Sequence, residues 1–200
     1  MHSETAIHHQ HALHHHDTDS TDVFGFWLYI MTDCVLFSCL FATYIVLNLP
    51  QVPGPSLKNY IDLPYILIET FLLLASNFVF CLSILNLYKH KLRHVQIWLA
   101  VSFLLGAAFV AMELTEFHHL VNLGLSWELH GKLSSFFTLV GTHGLHVSIG
   151  LCWILLMIFQ LPFLKNNVAK RRLTYLGLFW NFLDIVWIFV FTIVYLMGAI

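Results

Sequence analysis

Charge is what this chain is short of. Asp, Glu, Lys and Arg make up only 10% of its 200 residues, against about a quarter in an ordinary soluble domain. So few charges cannot cover a water-soluble fold, whereas a surface facing lipid needs none. Basic residues do not dominate the few charges present. Nine Lys and Arg against eleven Asp and Glu leave a net charge of −2, so there is no basic stripe to neutralise phosphates, which argues against nucleic acid as a partner. Cysteine is also sparse. Cys34, Cys39, Cys81 and Cys152 all fall inside apolar runs and none has zinc spacing. They imply no disulfide framework and no metal site, and read as small buried hydrophobes. Residues 1–22 contain no Lys or Arg. A cleavable signal needs a positive n-region, and the apolar run that follows is too long for an h-region, so that run is expected to stay in the membrane.

Apolar residues are what the chain has in excess: 58% of the total, 18 of them Phe. Crossing about 30 Å of hydrocarbon takes about 20 helical residues. Five segments qualify, approximately Phe24–Leu47, Leu63–Tyr88, Gln96–Leu120, Leu133–Leu161 and Leu173–Gly198. In lipid every backbone polar group must be satisfied within the segment, so each is expected to be a helix. The fold class that follows is all-α, a polytopic bundle of five transmembrane helices over residues 23–200. Asp22 is placed to cap the first helix, and Asp62 with Leu63-Pro64 resembles a helix start with proline in its first turn. Pro162 sits where the fourth helix should stop. The segment 48–62, with Pro50, Pro53, Gly54 and Pro55, reads as a loop.

The basic residues suggest an orientation. Lys89, Lys91 and Arg93 lie between helices two and three, and Lys165, Lys170, Arg171 and Arg172 between helices four and five. The opposite side has only Lys58 and Lys132. The expectation is a cytoplasmic N-terminus and a periplasmic C-terminus in a bacterial inner membrane. The tail 1–22 carries seven of the fourteen histidines (His2, His8, His9, His11, His14, His15 and His16). A metal-binding tract is one reading of it. A disordered, His-rich cytoplasmic tail is the reading preferred here, because the spacing is irregular.

Ionisable groups inside lipid are costly and usually face the bundle interior. The candidates are Asp33 in helix one, Glu69 in helix two, Glu113 and Glu116 near the end of helix three, His143 and His146 in helix four, and Asp184 between Trp180 and Trp187 in helix five. His118 and His119 end helix three. Glu113 and Glu116 share a face, as do His143 and His146, each pair being three residues apart. For Asp33 a proton-handling or lipid-headgroup role stands against a protonated structural acid. Interhelical hydrogen bonding is the reading for the others. Two histidines three apart on one helix cannot supply opposite axial ligands to one haem iron, so no metal or haem site is expected. Ala107 with Ala111, and Gly144 with Ser148, have the four-residue spacing of close helix crossings.

Several of these residues also form motifs. Gly141-Thr142-His143-Gly144-Leu145-His146-Val147 resembles a helix signature of the haem-copper oxidase subunit III family, and Phe179–Trp187 resembles that family's last-helix signature. Phe24-Gly25-Phe26-Trp27 with Met31-Thr32-Asp33 is similar to the start of the family's third helix, where a carboxylate occupies the position of Asp33. Glu113, Glu116, Phe117, His118 and His119 resemble its Glu-rich helix end. The likeness covers the chain from about Phe24 onward. One departure is Asn181, where the family usually has His after the Trp.

The family usually has seven helices. A five-helix version resembles the cytochrome o ubiquinol oxidase type, with the cytochrome c oxidases as the alternative within the family. The resemblance implies an accessory, non-catalytic subunit of a proton-pumping complex that oxidises ubiquinol and reduces oxygen to water. It implies contact mainly with subunit I, further partners in subunits II and IV, and bound phospholipid. It implies no cofactor in this chain, with haems and copper in subunit I, and a lipid- or proton-related role for Asp33. A small transporter, a haem b anchor and a His-tail metal carrier are the readings from other classes. A transporter should show broken helices or inverted repeats, and none is evident in the sequence.

Overall fold

A computed structural model describes the backbone of residues 2–49, 63–89, 92–123, 131–163 and 166–196. Side chains are described from Val23 onward within these ranges, apart from Leu63, Leu92, Asn166 and Asn167. Five helices account for nearly all of it: α1 His2–Leu47, α2 Leu63–Tyr88, α3 Leu92–Asn122, α4 Gly131–Gln160 and α5 Asn166–Val190. A 3₁₀ turn, Leu161–Phe163, follows α4, and a π-helical turn, Phe191–Leu196, continues α5. Each helix contains a stretch long and apolar enough to cross a bilayer: Val23–Leu47, Pro64–Tyr88, Arg93–Asn122, Gly131–Phe163 and Val168–Leu196. The five-helix expectation therefore holds. The cap expected at Asp62, and the connection 50–62, lie outside the described residues.

The chain divides into two units, Met1–Ser38 and Cys39–Ile200. The first is the long N-terminal part of α1. Its backbone is helical from His2, through the His-rich tract. Asp22 therefore lies within a helix and is not an N-cap. Residues 2–22 contain neither proline nor glycine, so nothing in that stretch interrupts the hydrogen-bond ladder before the apolar run begins.

In the second unit α2, α3, α4 and α5 pack in sequence, and α5 closes back on α2 to make an up-down-up-down ring of four helices. The inward residues explain why the ring forms. They are Ile66, Glu69, Leu73, Ser76, Phe80, Ser83 and Leu87 on α2; Val95, Leu99, Ser102, Gly106, Phe109 and Glu113 on α3. On α4 the buried stripe is Phe136, Val140, His143, Val147, Gly150, Ile154 and Met157, and on α5 it is Leu173, Leu176, Trp180, Leu183, Trp187 and Val190. Every stripe advances by alternate steps of three and four. That is the heptad seam along which antiparallel helices interlock with a shallow crossing. The remaining faces carry exposed Phe71, Phe78, Leu104 and Phe159, side chains suited to hydrocarbon.

Helix ends are tied by specific contacts. The Asn48 backbone N–H and side-chain amide both donate to the Tyr44 carbonyl, each at 3.0 Å, which closes the end of α1. Pro162 stands in the turn just past α4, where it forfeits no helical hydrogen bond. Gln96 Nε2 donates to the Ile158 carbonyl at 3.2 Å, Arg172 to Gln160 Oε1 at 2.9 Å, and the Lys170 ammonium lies 5.3 Å from the centre of the Tyr88 ring.

Two expectations are corrected. The four cysteines are exposed on the outer faces and are not buried. A thiol is apolar enough for lipid, so burial is not required of it. The Ala107/Ala111 pair does not mark the close crossing of α3, because Ala111 is exposed. The glycine one residue earlier, Gly106, is the one on the seam.

Candidate functional site

The polar side chains inside the ring form three groups along its axis. The middle group is aromatic. His143 on α4 is wholly buried, and its Nε2–H donates to the Leu183 carbonyl of α5 at 3.2 Å. Its ring lies 5.1 Å from that of Trp187 and 6.0 Å, edge-on, from that of Phe109. Phe109 and Trp187 also meet edge-to-face at 4.7 Å. The Trp187 indole N–H donates to Thr70 Oγ1 of α2 at 3.1 Å. All four ring helices thus meet at one level, and the imidazole is fixed by a backbone acceptor and two aromatic rings. That does not fit an axial haem ligand. His146 does not complete a pair either, since its Nδ1–H donates to the Thr142 carbonyl of its own helix at 2.8 Å. Among the described residues no three His, Cys, Asp or Glu side chains are grouped to hold a metal ion.

Toward the α2–α3 turn the contacts are small and reciprocal. Ser76 donates to the Ser102 carbonyl at 2.8 Å, and Ser102 to the Ser76 carbonyl at 2.9 Å, with the two hydroxyls 3.1 Å apart. On the next residue of α2, Asn77 Nδ2 donates to Asp184 Oδ2 at 2.9 Å and joins α2 to α5. Trp180 enters by shape. A Cβ on Gly150 would come within 2.8 Å of its ring, and one on Gly106 within 3.1 Å. The indole occupies the slot left by two missing side chains. Its N–H meets no hydrogen-bond acceptor among the described residues.

Toward the other end lie the glutamates. Glu69 of α2 is completely buried, and Glu113 of α3 is 3% exposed. The Glu113 carboxyl lies over Gly144 of α4, where a Cβ would stand 2.7 Å from Oε2 and 2.9 Å from Oε1. Gly144 thus makes room for a carboxyl group. The Tyr195 hydroxyl donates to Glu116 Oε2 at 3.4 Å, from the π-helical turn that ends α5. Glu69, Glu113, Glu116 and Tyr195 are all within electrostatic reach of one another. Beside them the Tyr65 hydroxyl donates to the Met112 carbonyl at 3.1 Å and lies 2.8 Å from Thr115 Oγ1.

His118 lies on an exposed face of α3 and accepts from Asn122 at 3.1 Å. Asp33 belongs to the first unit, where it shares a face of α1 with Ile30 and Phe37 at heptad spacing.

The structure thus brings Glu69, Glu113 and Glu116 together, pairs Asp184 with Asn77, keeps His146 within electrostatic reach of His143, and places His118 on an exposed face of α3. It adds Thr70, Asn77, Ser76, Ser102, Phe109 and Tyr195, which reading the acids and histidines alone does not find. One signal for part of this set was present: Glu69, Ser76 and Ser83 recur at steps of seven, as do His143 and Gly150.

The sequence matches the family described as Cytochrome c oxidase subunit III over residues 1–199. It is 52% identical over 189 residues to Cytochrome bo(3) ubiquinol oxidase subunit 3 of Pseudomonas aeruginosa, covering 94% of this chain and 90% of that one. Against the protein of the same name from Pseudomonas putida it is 49% identical, covering 92% and 90%. Cytochrome c oxidase subunit 3 of a Bacillus species is 38% identical, covering 88% and 86%.

Proposed function

Because this chain belongs to the cytochrome c oxidase subunit III family, we propose that it is subunit III of a ubiquinol oxidase, a membrane complex that oxidises ubiquinol and reduces oxygen to water. The observation that carries the choice of electron donor is the gradient of identity. Relatives named as cytochrome bo(3) ubiquinol oxidase subunits run from 52% and 49% down to 38%, and a relative named for cytochrome c stands at the lower end of that range, at 38%. A multi-pass membrane protein in an oxidoreductase complex is common to both readings.

The chain's own part is structural support. In this family electron transfer and oxygen chemistry are assigned to the haems and copper of subunit I, and this reading keeps them there. The interior of the ring is filled by interlocked side chains, with His143 engaged by Leu183, Phe109 and Trp187. Glu69, Glu116, His143 and Asp184 set the geometry of a bundle that packs mainly on subunit I, with subunits II and IV and phospholipid as further partners. Asp33, in the apolar part of α1, is the carboxylate assigned to lipid binding or proton uptake. Residues 1–22 form a polar extension, and 23–200 the membrane domain. The basic residues Lys89, Arg93, Lys170, Arg171 and Arg172 support a cytoplasmic N-terminus in a bacterial inner membrane, with the C-terminus on the periplasmic side.

The test is recovery of this chain from native membranes in mild detergent, with an optical spectrum and oxygen-uptake assays. Haem-bearing partners that consume oxygen with ubiquinol, and not with reduced cytochrome c, are the expected result. Uptake driven by cytochrome c would select the alternative, and a haem-free preparation with no large partner would overturn both. Within an active complex, Asp33→Asn is expected to shorten the lifetime of turnover or lower the retained phospholipid. A variant unchanged in both would remove Asp33 from the account.

A further inference from the structure

The glutamate group adjoins the middle level of the ring on the side where α2 and α4 begin, and an apolar scaffold has no need of it. Heptad positions accept leucine at no polar cost, yet α2 and α3 place carboxyls at three of them. Two features of the backbone serve these acids: Gly144 leaves space for the Glu113 carboxyl, and the π-helical turn brings the Tyr195 hydroxyl to Glu116. Turns of this kind are rare and concentrate at functional positions. The second observation is lack of satisfaction. Neither carboxyl oxygen of the fully buried Glu69 has a hydrogen-bond partner among the described residues, and neither does Glu113 Oε1. A buried acceptor left in that state bears its full desolvation cost with no hydrogen bond to offset it. Three oxygens from two helices therefore converge on a need for small donors of hydrogen.

The chemistry that meets this need is narrow. Metal coordination is not supported, since among the described residues no three His, Cys, Asp or Glu side chains are grouped to hold an ion. An organic ligand has no way to reach a carboxyl that is 0% exposed. Water and its protonated form are small enough and are donors. We propose that Glu69, Glu113 and Glu116, with the Tyr195 hydroxyl, form a proton-binding site whose ligand is hydronium. The proton passes from hydronium to a carboxylate oxygen, giving a carboxylic acid and a water molecule. That water then bridges the neighbouring carboxyls, so the proton is shared within the group. Nearby titratable side chains are engaged elsewhere: Tyr65 with Met112 and Thr115, and His143 with Leu183, while Asp184 is paired with Asn77 toward the opposite end. The site belongs to the interior of this chain and does not depend on which electron donor the complex uses.

Infrared spectra of the purified complex, in H₂O and D₂O, test it. The expected result is a carboxylic-acid C=O band that shifts on transfer to D₂O. Glu69→Gln is expected to remove part of that band and displace the remainder, because Glu113 and Glu116 lose a member of the shared group. Tyr195→Phe keeps the ring that packs on Phe136, removes only the hydroxyl, and is expected to displace the same band. A single band lost in Glu69→Gln with all others unmoved would describe independent acids and overturn the proposal, as would a band unmoved by Tyr195→Phe. If neither variant assembles, the wild-type spectrum decides alone, since a band that ignores D₂O cannot come from a water-linked site.

Discussion

Trp180 offers the most direct test of how the ring is packed. A Cβ added at Gly150 would stand 2.8 Å from Trp180 Cζ3, 3.0 Å from Cε3 and 3.2 Å from Phe179 Cε1. On the other side, a Cβ at Gly106 would lie 3.1 Å from Trp180 Cζ2 and 2.8 Å from Leu151 Cδ2. With 1% of its surface exposed, the indole has no open direction in which to retreat. Overpacking of this kind costs about 1–3 kcal/mol. Replacing glycine by alanine inside a helix returns about 0.8–1 kcal/mol. Because the contact is with a rigid ring and not with a flexible side-chain end, Gly150→Ala is expected to lose roughly 1–2 kcal/mol net. For a chain of this size each kcal/mol moves the melting midpoint by about 2–4 °C, so the expected drop is about 2–8 °C.

The assay is the fraction of the purified detergent-solubilised subunit that stays soluble after stepwise heating. Gly25→Ala is the control, because nothing lies within 4 Å of a Cβ there, and its midpoint should hold or rise. Trp180→Leu in the Gly150→Ala background frees the added methyl, so the double variant should be more stable than the sum of the singles by about 1 kcal/mol or more. A Gly150→Ala protein that melts at or above the wild type, with additive behaviour toward Trp180→Leu, would refute the seating of the indole between the two glycines.

Three further outcomes are expected from the same melting assay. Asn77→Leu and Asp184→Leu should show a coupling energy of about 0.6 kcal/mol and not above about 1.7 kcal/mol, the range for hydrogen bonds between membrane helices; strictly additive losses would mean the 2.9 Å contact contributes nothing. Ser76→Ala and Ser102→Ala should each lose about 0.5–1 kcal/mol, with the double variant little worse than either single, because the hydroxyls bond each other's helix as one unit. Thr70→Val removes the acceptor of the Trp187 indole and should lose about 0.5–1.5 kcal/mol, whereas Thr70→Ser keeps the hydroxyl and should recover most of it; equal losses in both would assign the effect to shape.

The fold was legible because lipid imposes a length and a composition that few other environments demand. The apolar runs expected to end at Leu47 and Tyr88 end there. The third helix starts at Leu92 and not at Gln96, since the polar first turn with Arg93 and His94 is helical as well. The helical start of α1 was not legible, because a polar, His-rich segment carries no apolar period from which to infer a helix. For the interior, the acids stood out as charges within apolar runs, so Glu69, Glu113, Glu116 and Asp184 were found. Their neutral partners were not. Asn77, Ser102 and Tyr195 carry no charge at neutral pH, and nothing marks them as partners until the helices are seen side by side. The π-helical turn that positions Tyr195 has no sequence signal at all.

The same physics explains why polar residues lie on the seams. In water, burial of apolar surface separates the inside of a bundle from its outside. In lipid both faces are apolar, and leucine is as well placed on one as on the other. Interlocking seams alone would then admit several alignments of two helices, each displaced by a turn of about 5.4 Å. The pairs across α2 and α5 forbid this. Asn77 reaches Asp184 at 2.9 Å while Trp187 reaches Thr70 at 3.1 Å, and the higher-numbered residue on α5 meets the lower-numbered one on α2, as antiparallel packing requires. A slip of one turn breaks both contacts together and strands Asp184 in hydrocarbon without its donor. Across α2 and α3 the Ser76–Ser102 pair acts in the same way. The apolar heptads hold the helices together, and these few hydrogen bonds select one register among those the heptads would allow.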